Sequence, residues 1–423
     1  MIINRSPSPY PRRGGPSCLT LILVFFAGVG AMFLFSNVEQ VVDVIVPTVT
    51  PEPTRSAESF AFSAALYNRD GDSEKAIQAY RTAIQLDSDN PNYYIDLIDL
   101  LTIEGDAEEA LDVAEQVSII APDDANVLVA VASAYLQNGE RLAEIGERDL
   151  ALNQYERAIQ SAERAIGKDG NLAVAYALQA GALIQQDRDN YQRANDLIDL
   201  AIALDTESEV VHYYRGVVLE TQGYYDRAIE SYEVARQINP AYLDASLAVA
   251  YSYFYTDNRQ RAIVTLRDQI DATPNNAALY DALGWMYFLA GQYAESEATL
   301  EKAVNLDTNL VRAKAHLGAA YFKNFNYDNA IPRLEEAVIA YDQGRNEGIP
   351  LTESTSIYYN YLAFAYYRTN PDFCFTPMSD ESGYTAESLF NTVIEEMGTD
   401  GTRGQNAQIG LEDCRKARID AGG

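Results

Sequence analysis

Residues 277–310, AALYDALGWMYFLAGQYAESEATLEKAVNLDTNL, decide the fold of this chain of 423 residues. The same pattern returns at intervals of 34 residues: Ala76 and Ala110 are 34 positions apart, and so are Pro240 and Pro274. Beyond the first 56 residues, helix-forming residues fill nearly every segment and strand-like blocks are scarce. A fixed period in such a sequence indicates an array of helical repeats.

The repeat resembles the tetratricopeptide repeat family, whose unit is two antiparallel helices marked by a large residue, a Leu-Gly pair, a Tyr and two Ala. Within residues 277–310 the matching residues are Tyr280, Leu283, Gly284, Tyr287, Gly291 and Ala303. Ser296 departs from the pattern, because the family prefers Ala there. The resemblance implies an all-α fold, a right-handed α-solenoid of antiparallel helix pairs. One pair cannot bury its apolar face alone, so the stack folds together.

The register of the repeat divides most of the chain into units. We predict eight units over residues 57–344, then a degenerate repeat and a C-terminal capping helix over residues 345–423. The third unit is longer, since Ala110 and Ala158 are 48 positions apart instead of 34. The stretch that holds the extra residues, 140–159, has a helical pattern and contains no Pro. We predict that its turn has moved to Gly146 and that each of its helices is about two turns longer.

The N-terminal part has the pattern of a membrane anchor. Residues 19–36, LTLILVFFAGVGAMFLFS, carry no charge, and as a helix they would nearly span a hydrocarbon core of roughly 30 Å. Residues 1–18 contain Arg and no acid, whereas residues 37–54 contain acids and neither Lys nor Arg. The positive-inside rule therefore predicts a cytoplasmic basic tail, one transmembrane helix, and repeats on the extracytoplasmic side of the cell membrane.

Two further features concern the same region. Residues 37–56 contain three Pro, which favours an extended stalk between anchor and repeats. A cleaved signal peptide is the alternative to an anchor. The small residues that would form a cleavage site lie inside the apolar run and not after it, so we favour an uncleaved anchor.

Cys374 and Cys414 are the two cysteines beyond the anchor. In an exported domain an even pair favours a disulfide over two free thiols, so we predict that these residues are bonded. No C-x-x-C spacing is present and no His is close to either Cys in sequence, which argues against a catalytic role.

The composition excludes several classes of function. With 62 acidic and 31 basic residues, the formal net charge is −31, so the basic footprint of a nucleic-acid-binding protein is missing. Only two His occur, His212 and His316, and phosphate-binding Gly loops and zinc spacings are absent. We therefore predict no enzyme activity, no cofactor and no metal. The acidity indicates either a well-solvated surface or a preference for a basic partner.

The resemblance implies a peptide-binding groove on the concave face that the first helix of each pair builds. By register, the residues of units five to eight that would face this groove are Tyr213, Tyr214, Leu247, Tyr251, Phe254, Tyr255, Asp281, Trp285, Phe288, Arg312, His316 and Phe322. Large rings offer much contact area at low entropy cost. The alternative is tighter packing between repeats in a chain with 30 Tyr. His212 falls at a packing position, so we interpret it as structural.

These patterns together predict a membrane-anchored scaffold or adaptor that binds a protein or peptide on the extracytoplasmic side, in envelope assembly or secretion. No Asn-x-Ser/Thr site follows the anchor, which favours a bacterial source. The alternatives are a structural oligomerisation module, which would form a homo-oligomer, and a non-catalytic regulatory subunit of an envelope enzyme.

Overall fold

Helices account for all of the regular structure in the described part of the chain. A computed structural model describes residues 55–69, 72–240, 242–346, 348–378 and 382–420. Over these residues it contains nineteen α-helices and no strand. Successive helices contact each other in chain order, so they form nine two-helix units and one last helix. The all-helical solenoid predicted from the repeat is confirmed.

The helices alternate between first and second members of a unit. The first helices are α1 Ala57–Arg69, α3 Pro91–Glu104, α5 Ala125–Glu144, α7 Ala173–Gln186, α9 Glu209–Thr221, α11 Leu243–Tyr255, α13 Ala277–Leu289, α15 Val311–Lys323 and α17 Glu353–Thr369. The second helices are α2 Ser73–Leu86, α4 Ala107–Ile120, α6 Arg148–Lys168, α8 Tyr191–Leu204, α10 Tyr225–Ile238, α12 Arg259–Ala272, α14 Tyr293–Leu306, α16 Tyr327–Asn346 and α18 Ala386–Met397, and α19 Thr402–Asp420 follows them.

The first helices form a continuous inner layer. From α3 to α17, each first helix contacts the first helix of the next unit. Within the described ranges, successive second helices make few such contacts or none. First helices are therefore closer together than second helices, and a stack of such wedge-shaped units is concave on its first-helix side.

A small residue on the first helix packs against a large residue on the second helix of the same unit. A Cβ atom added at Gly216 of α9 would lie 2.3 Å from the ring of Tyr232 on α10. At Gly284 of α13 it would lie 2.5 Å from the side chain of Leu300 on α14. These contacts hold the two helices of a unit at a short distance.

The third unit is longer than the others. Its helices α5 and α6 have 20 and 21 residues, and the turn between them contains Gly146 with a φ of 91°. A methyl group added at Gly146 would lie 3.3 Å from side-chain carbons of both Pro350 and Thr352, in the loop between α16 and α17. The lengthened pair thus reaches the junction of the eighth and ninth units.

The C-terminal cap is closed by a disulfide. Cys374, in a short 3₁₀ segment after α17, is bonded to Cys414 of α19, with 5.7 Å between their Cα atoms. Both cysteines are buried. The disulfide predicted from the two cysteines is confirmed.

The predicted basic tail (residues 1–18) and anchor (residues 19–36), and residues 37–54 of the predicted stalk, lie outside the described residues. Among the helices that the structure describes, none combines the length and the apolar character needed to cross a bilayer.

The contact between Gly216 and Tyr232 makes a testable prediction. Gly216→Ala forces the ring or the helix to move, so we expect the free energy of unfolding to fall by roughly 1 to 3 kcal/mol. Gly167→Ala, in α6, is the matched control, because a Cβ there has no neighbour within 4 Å. The control should be neutral or raise the free energy of unfolding by roughly 0.5 kcal/mol. Chemical denaturation followed by circular dichroism measures both, and equal effects would contradict the close contact.

Candidate functional site

A cavity of about 730 Å³ opens on the inner layer of first helices. Residues of α3, α5, α7, α9 and α11 form its wall, together with the loops that precede α7, α9 and α11. The second helices contribute Leu204, at the end of α8. The cavity therefore belongs to the concave face of units two to six.

The wall of the cavity is acidic. It contains no Lys, Arg or His, and its five acidic residues are Asp99, Glu140, Asp205, Glu209 and Asp244. Asp205 accepts a hydrogen bond from the backbone N–H of Glu207, and Glu209 accepts one from the amide of Asn239. Asp99 and Asp244 have no hydrogen bond or ion pair through their side chains with any described residue. The negative charge is thus not compensated within the wall.

The surroundings of two of these carboxyls disfavour their charged form. Burial raises the pKa of Asp244 from 3.8 to about 6. Asp99 is exposed, but its position on the concave wall removes part of the water around its carboxyl. This loss of water, and to a smaller extent the charge of Asp96, raise the pKa of Asp99 from 3.8 to about 6. A concave wall replaces part of the water around each carboxyl with protein, and no cation offsets the loss. Both groups are mostly charged at neutral pH, at some cost to the folded state.

Three tyrosines cluster on the same wall. The ring of Tyr213 lies 5.1 Å from that of Tyr214 and 5.4 Å from that of Tyr242, both in edge-to-face geometry. Tyr214 is held by Gly181 of α7, where an added Cβ would lie 2.5 Å from its ring. Burial, with smaller contributions from nearby acids including Glu140, raises the pKa of all three hydroxyls well above 10.0. None of these hydroxyls bonds to a described residue, although Tyr214 is only 8% exposed.

The structure separates the predicted groove residues by exposure. Of the twelve, Tyr213 and Tyr214 line the cavity. Four of them are buried: Tyr214, Asp281, Phe288 and His316. Six are half-buried: Tyr213, Leu247, Tyr251, Phe254, Trp285 and Phe322. Two are exposed: Tyr255 and Arg312.

The predicted groove residues of units seven and eight contact one another instead of presenting a free surface. The Trp285 ring is stacked between Phe288 and His316, with centroid distances of 4.6 and 4.1 Å. Asp281, only 1% exposed, accepts from His316 Nδ1 at 2.6 Å and from Arg312 Nε at 2.8 Å. Burial alone would raise the pKa of Asp281, but the interactions with His316 and Arg312 outweigh it and lower that pKa. Asp281, Phe288 and His316 thus differ from the exposed positions expected, because α13 and α15 pack together there.

In the sixth and eighth units, several predicted groove residues also pack against neighbouring helices. Leu247, Tyr251 and Phe254 lie against the buried core that α11 shares with α12 and α13. Phe322 stacks on Tyr361 of the next first helix at 4.9 Å. Tyr255 remains 65% exposed.

Sequence reasoning missed most of the cavity wall. Asp99, Glu140, Glu209, Tyr242 and Asp244 were not among the predicted groove residues, although the groove register of the second unit already includes Asp99. The same register applied to units two to four would have found part of the wall. The loops before α9 and α11 have no counterpart in that register.

His212 lies outside the cavity wall. It is 8% exposed, and its Nε2 lies 3.0 Å from the carbonyl oxygen of Thr206. This placement fits the structural interpretation of that residue.

The raised pKa of Asp99 makes a prediction about stability. Because its folded pKa of about 6 lies above its ordinary value of 3.8, the charged carboxyl destabilises the fold above pH 6. That penalty disappears as pH falls below about 4. Asp99→Asn should therefore raise the free energy of unfolding at pH 7.5, by roughly 0.5 kcal/mol because Asp99 is exposed and screened. Denaturation at pH 7.5 and pH 4.5 measures the difference, which should shrink at the lower pH.

Asp112→Asn is the control for this prediction, because Asp112 lies exposed on α4 of the same unit. We expect no gain from it. A loss of stability in Asp99→Asn at pH 7.5 would contradict the unfavourable surroundings of that carboxyl.

Comparison with known proteins identifies the repeat. Models described as tetratricopeptide repeat match residues 68–133, 210–242 and 277–310. The TPR repeat-containing protein YpiA of Bacillus subtilis is 24% identical over 304 residues, which cover 66% of this chain and 70% of the relative. Yeast Tom70 is 13% identical and covers 86% of this chain and 96% of its own, with a TM-score of 0.41.

A tetratricopeptide repeat protein of Parabacteroides merdae is 17% identical and covers 63% of this chain and 99% of its own, with a TM-score of 0.40. The first matched segment extends from the end of α1 into α5, across parts of the first three units, and the other two match the fifth and seventh units. This chain therefore contains tetratricopeptide repeats within an all-helical solenoid.

Proposed function

We propose that this chain is a scaffold that binds a segment of a partner protein along the concave face of units two to six. The observation that carries this proposal is the cavity of about 730 Å³, whose wall combines unpaired Asp99 and Asp244 carboxylates with three tyrosine hydroxyls that bond to no described residue. Polar groups left without partners in a concave site are available to a ligand. Stacked repeats commonly use such concave surfaces for binding.

A binding role fits the chemistry of the wall better than a catalytic role. The lining residues include no His, Cys or Lys. Their titratable groups are five carboxyls, of which Asp99 and Asp244 have raised pKa values, and three tyrosines, whose pKa values are also raised. Such a set offers no activated nucleophile paired with a base. The scaffold therefore works by contact, without chemistry of its own.

We further propose that residues 19–36 anchor the chain in the cell membrane, with the tail in the cytoplasm and the repeats on the extracytoplasmic side. The charge difference across the apolar stretch supports this placement. The Cys374–Cys414 disulfide supports it independently, because disulfides persist in oxidising compartments. Envelope assembly or secretion is the setting that fits a scaffold there. A cysteine introduced at Ile119 that reacts with a membrane-impermeant reagent only after lysis would contradict the placement.

Photo-crosslinking in intact cells tests the binding site. Ile103 of α3 lines the cavity and is 38% exposed, whereas Ile119 of α4, in the same unit, is 84% exposed on an outer helix. With a photoreactive residue at Ile103 we expect a discrete adduct with another protein. The matched variant at Ile119 should give much less of it.

Two outcomes would contradict the proposed site. Equal adducts from both positions would show that the cavity is not preferred. An adduct of the chain with itself would instead favour the oligomerisation module.

A further inference from the structure

The wall of the cavity includes five carboxylates and no Lys, Arg or His. Asp99, Asp205, Glu209 and Asp244 form no ion pair with any described residue. Some acids elsewhere in the described chain do have such partners: Glu109 pairs with Arg81, Glu396 with Arg345, and Asp281 with Arg312. With a formal net charge of −31, the rest of the chain supplies no surplus of cations. A concave wall of one sign concentrates ions of the opposite sign.

The carboxylates are also dispersed. They lie on α3, α5, α9 and α11 and on the loop before α9. Among the described residues, no three His, Cys, Asp or Glu side chains are grouped closely enough to hold a metal ion. One small cation could therefore pair with only some of these carboxylates. A ligand that carries several separated positive charges could pair with all of them.

The tyrosines add a second means of recognising a cation. Tyr213, Tyr214 and Tyr242 line the wall beside the carboxylates, and their ring faces attract Lys and Arg side chains. Their hydroxyls, which bond to no described residue, can accept hydrogen bonds from guanidinium or ammonium groups. The Tyr214 side chain lines the cavity, and only 8% of the residue is exposed.

The shape of the wall indicates the length of the ligand. Five successive first helices contribute to it, and packed helices are roughly 8 to 10 Å apart, so the wall extends over about 30 Å or more. An extended chain of about ten residues covers that distance. A single amino acid or a short polyamine does not.

From these contacts we infer that the occupant of the cavity is an extended protein segment that carries several Lys or Arg side chains. Its cations pair with Asp99, Glu209 and Asp244 and lie against the faces of Tyr213 and Tyr242. This inference rests on the proposed function and adds the chemical class of the partner.

Binding of a fluorescent peptide tests the inference with the full chain in a non-ionic detergent. The probe is a ten-residue peptide in which Arg alternates with Ala, and the control peptide carries citrulline, a neutral isostere, in place of each Arg. We expect the Arg peptide to bind at least about ten-fold more tightly, and its affinity to fall as salt is added. Equal affinities for the two peptides would overturn the inference.

Two double variants locate the effect. Asp99→Asn with Asp244→Asn removes two charges from the wall, and we expect the affinity for the Arg peptide to fall about ten-fold. Asp112→Asn with Asp271→Asn removes two charges from exposed positions on the second helices of the same two units. That control should change the affinity less than about two-fold, and circular dichroism checks that both variants fold. Equal losses in both would mean that net charge, and not the wall, attracts the peptide.

Two further outcomes are distinguishable. If spermidine displaced the Arg peptide at equal concentrations of charge, the site would take small amines and the inference would fail. If the citrulline peptide bound as well as the Arg peptide while the Ile103 adduct persisted, the inference would fail and the proposed function would stand. If the photoreactive residue at Ile103 gave no adduct with another protein in intact cells, the proposed function would be contradicted.

Discussion

The close contact between a small and a large residue inside each unit is the constraint on which the rest of the structure depends. Gly216 against Tyr232 and Gly284 against Leu300 set the distance between the two helices. In the second unit the large residue, Ile98, is on the first helix and the small residue, Ala114, is on the second helix. These two residues are 16 positions apart, as Gly216 and Tyr232 are, and both are fully buried. The complementarity of size is thus kept even where the residue types are not. First helices held in this way form the continuous layer that bears the cavity.

The same constraint tolerates a polar residue when its hydrogen bond is satisfied. Ser296 stands where the repeat family prefers Ala, and it is fully buried. Its hydroxyl donates to the carbonyl oxygen of Gly284 at 2.8 Å, across the contact between α13 and α14. A buried hydroxyl without such a partner would cost about 1 to 3 kcal/mol. The departure from the family pattern therefore need not loosen the unit.

Two additional contacts supplement the stacking of successive units. The turn at Gly146 contacts the loop that contains Pro350 and Thr352, which follow it by 204 and 206 positions in sequence. The Cys374–Cys414 disulfide ties α19 to the segment after α17. The first contact adds a restraint to the third unit, whose helix α5 lines the cavity, and the disulfide holds the C-terminal cap. A groove that is already held in shape binds a segment with less loss of conformational entropy.

The sequence was sufficient for the helical repeat, because periodic Ala and Gly residues report the packing inside one unit. It was also sufficient for the disulfide, since only two cysteines follow the apolar stretch. It was not sufficient for the exposure of the groove residues. Asp281 meets Arg312 and His316, 31 and 35 positions later, only because α13 and α15 pack together. The register gives the side of a helix that a residue faces, but not how closely the next first helix covers it.

The central claim is that a cationic segment lies along the first helices of units two to six. Hydrogen–deuterium exchange of the full chain, with and without the Arg peptide, tests it most directly. The account predicts slower exchange in α3, α5, α7, α9 and α11 and unchanged exchange in α13 to α18. Protection confined to α13 to α18, or none at a saturating concentration of the peptide, would contradict it.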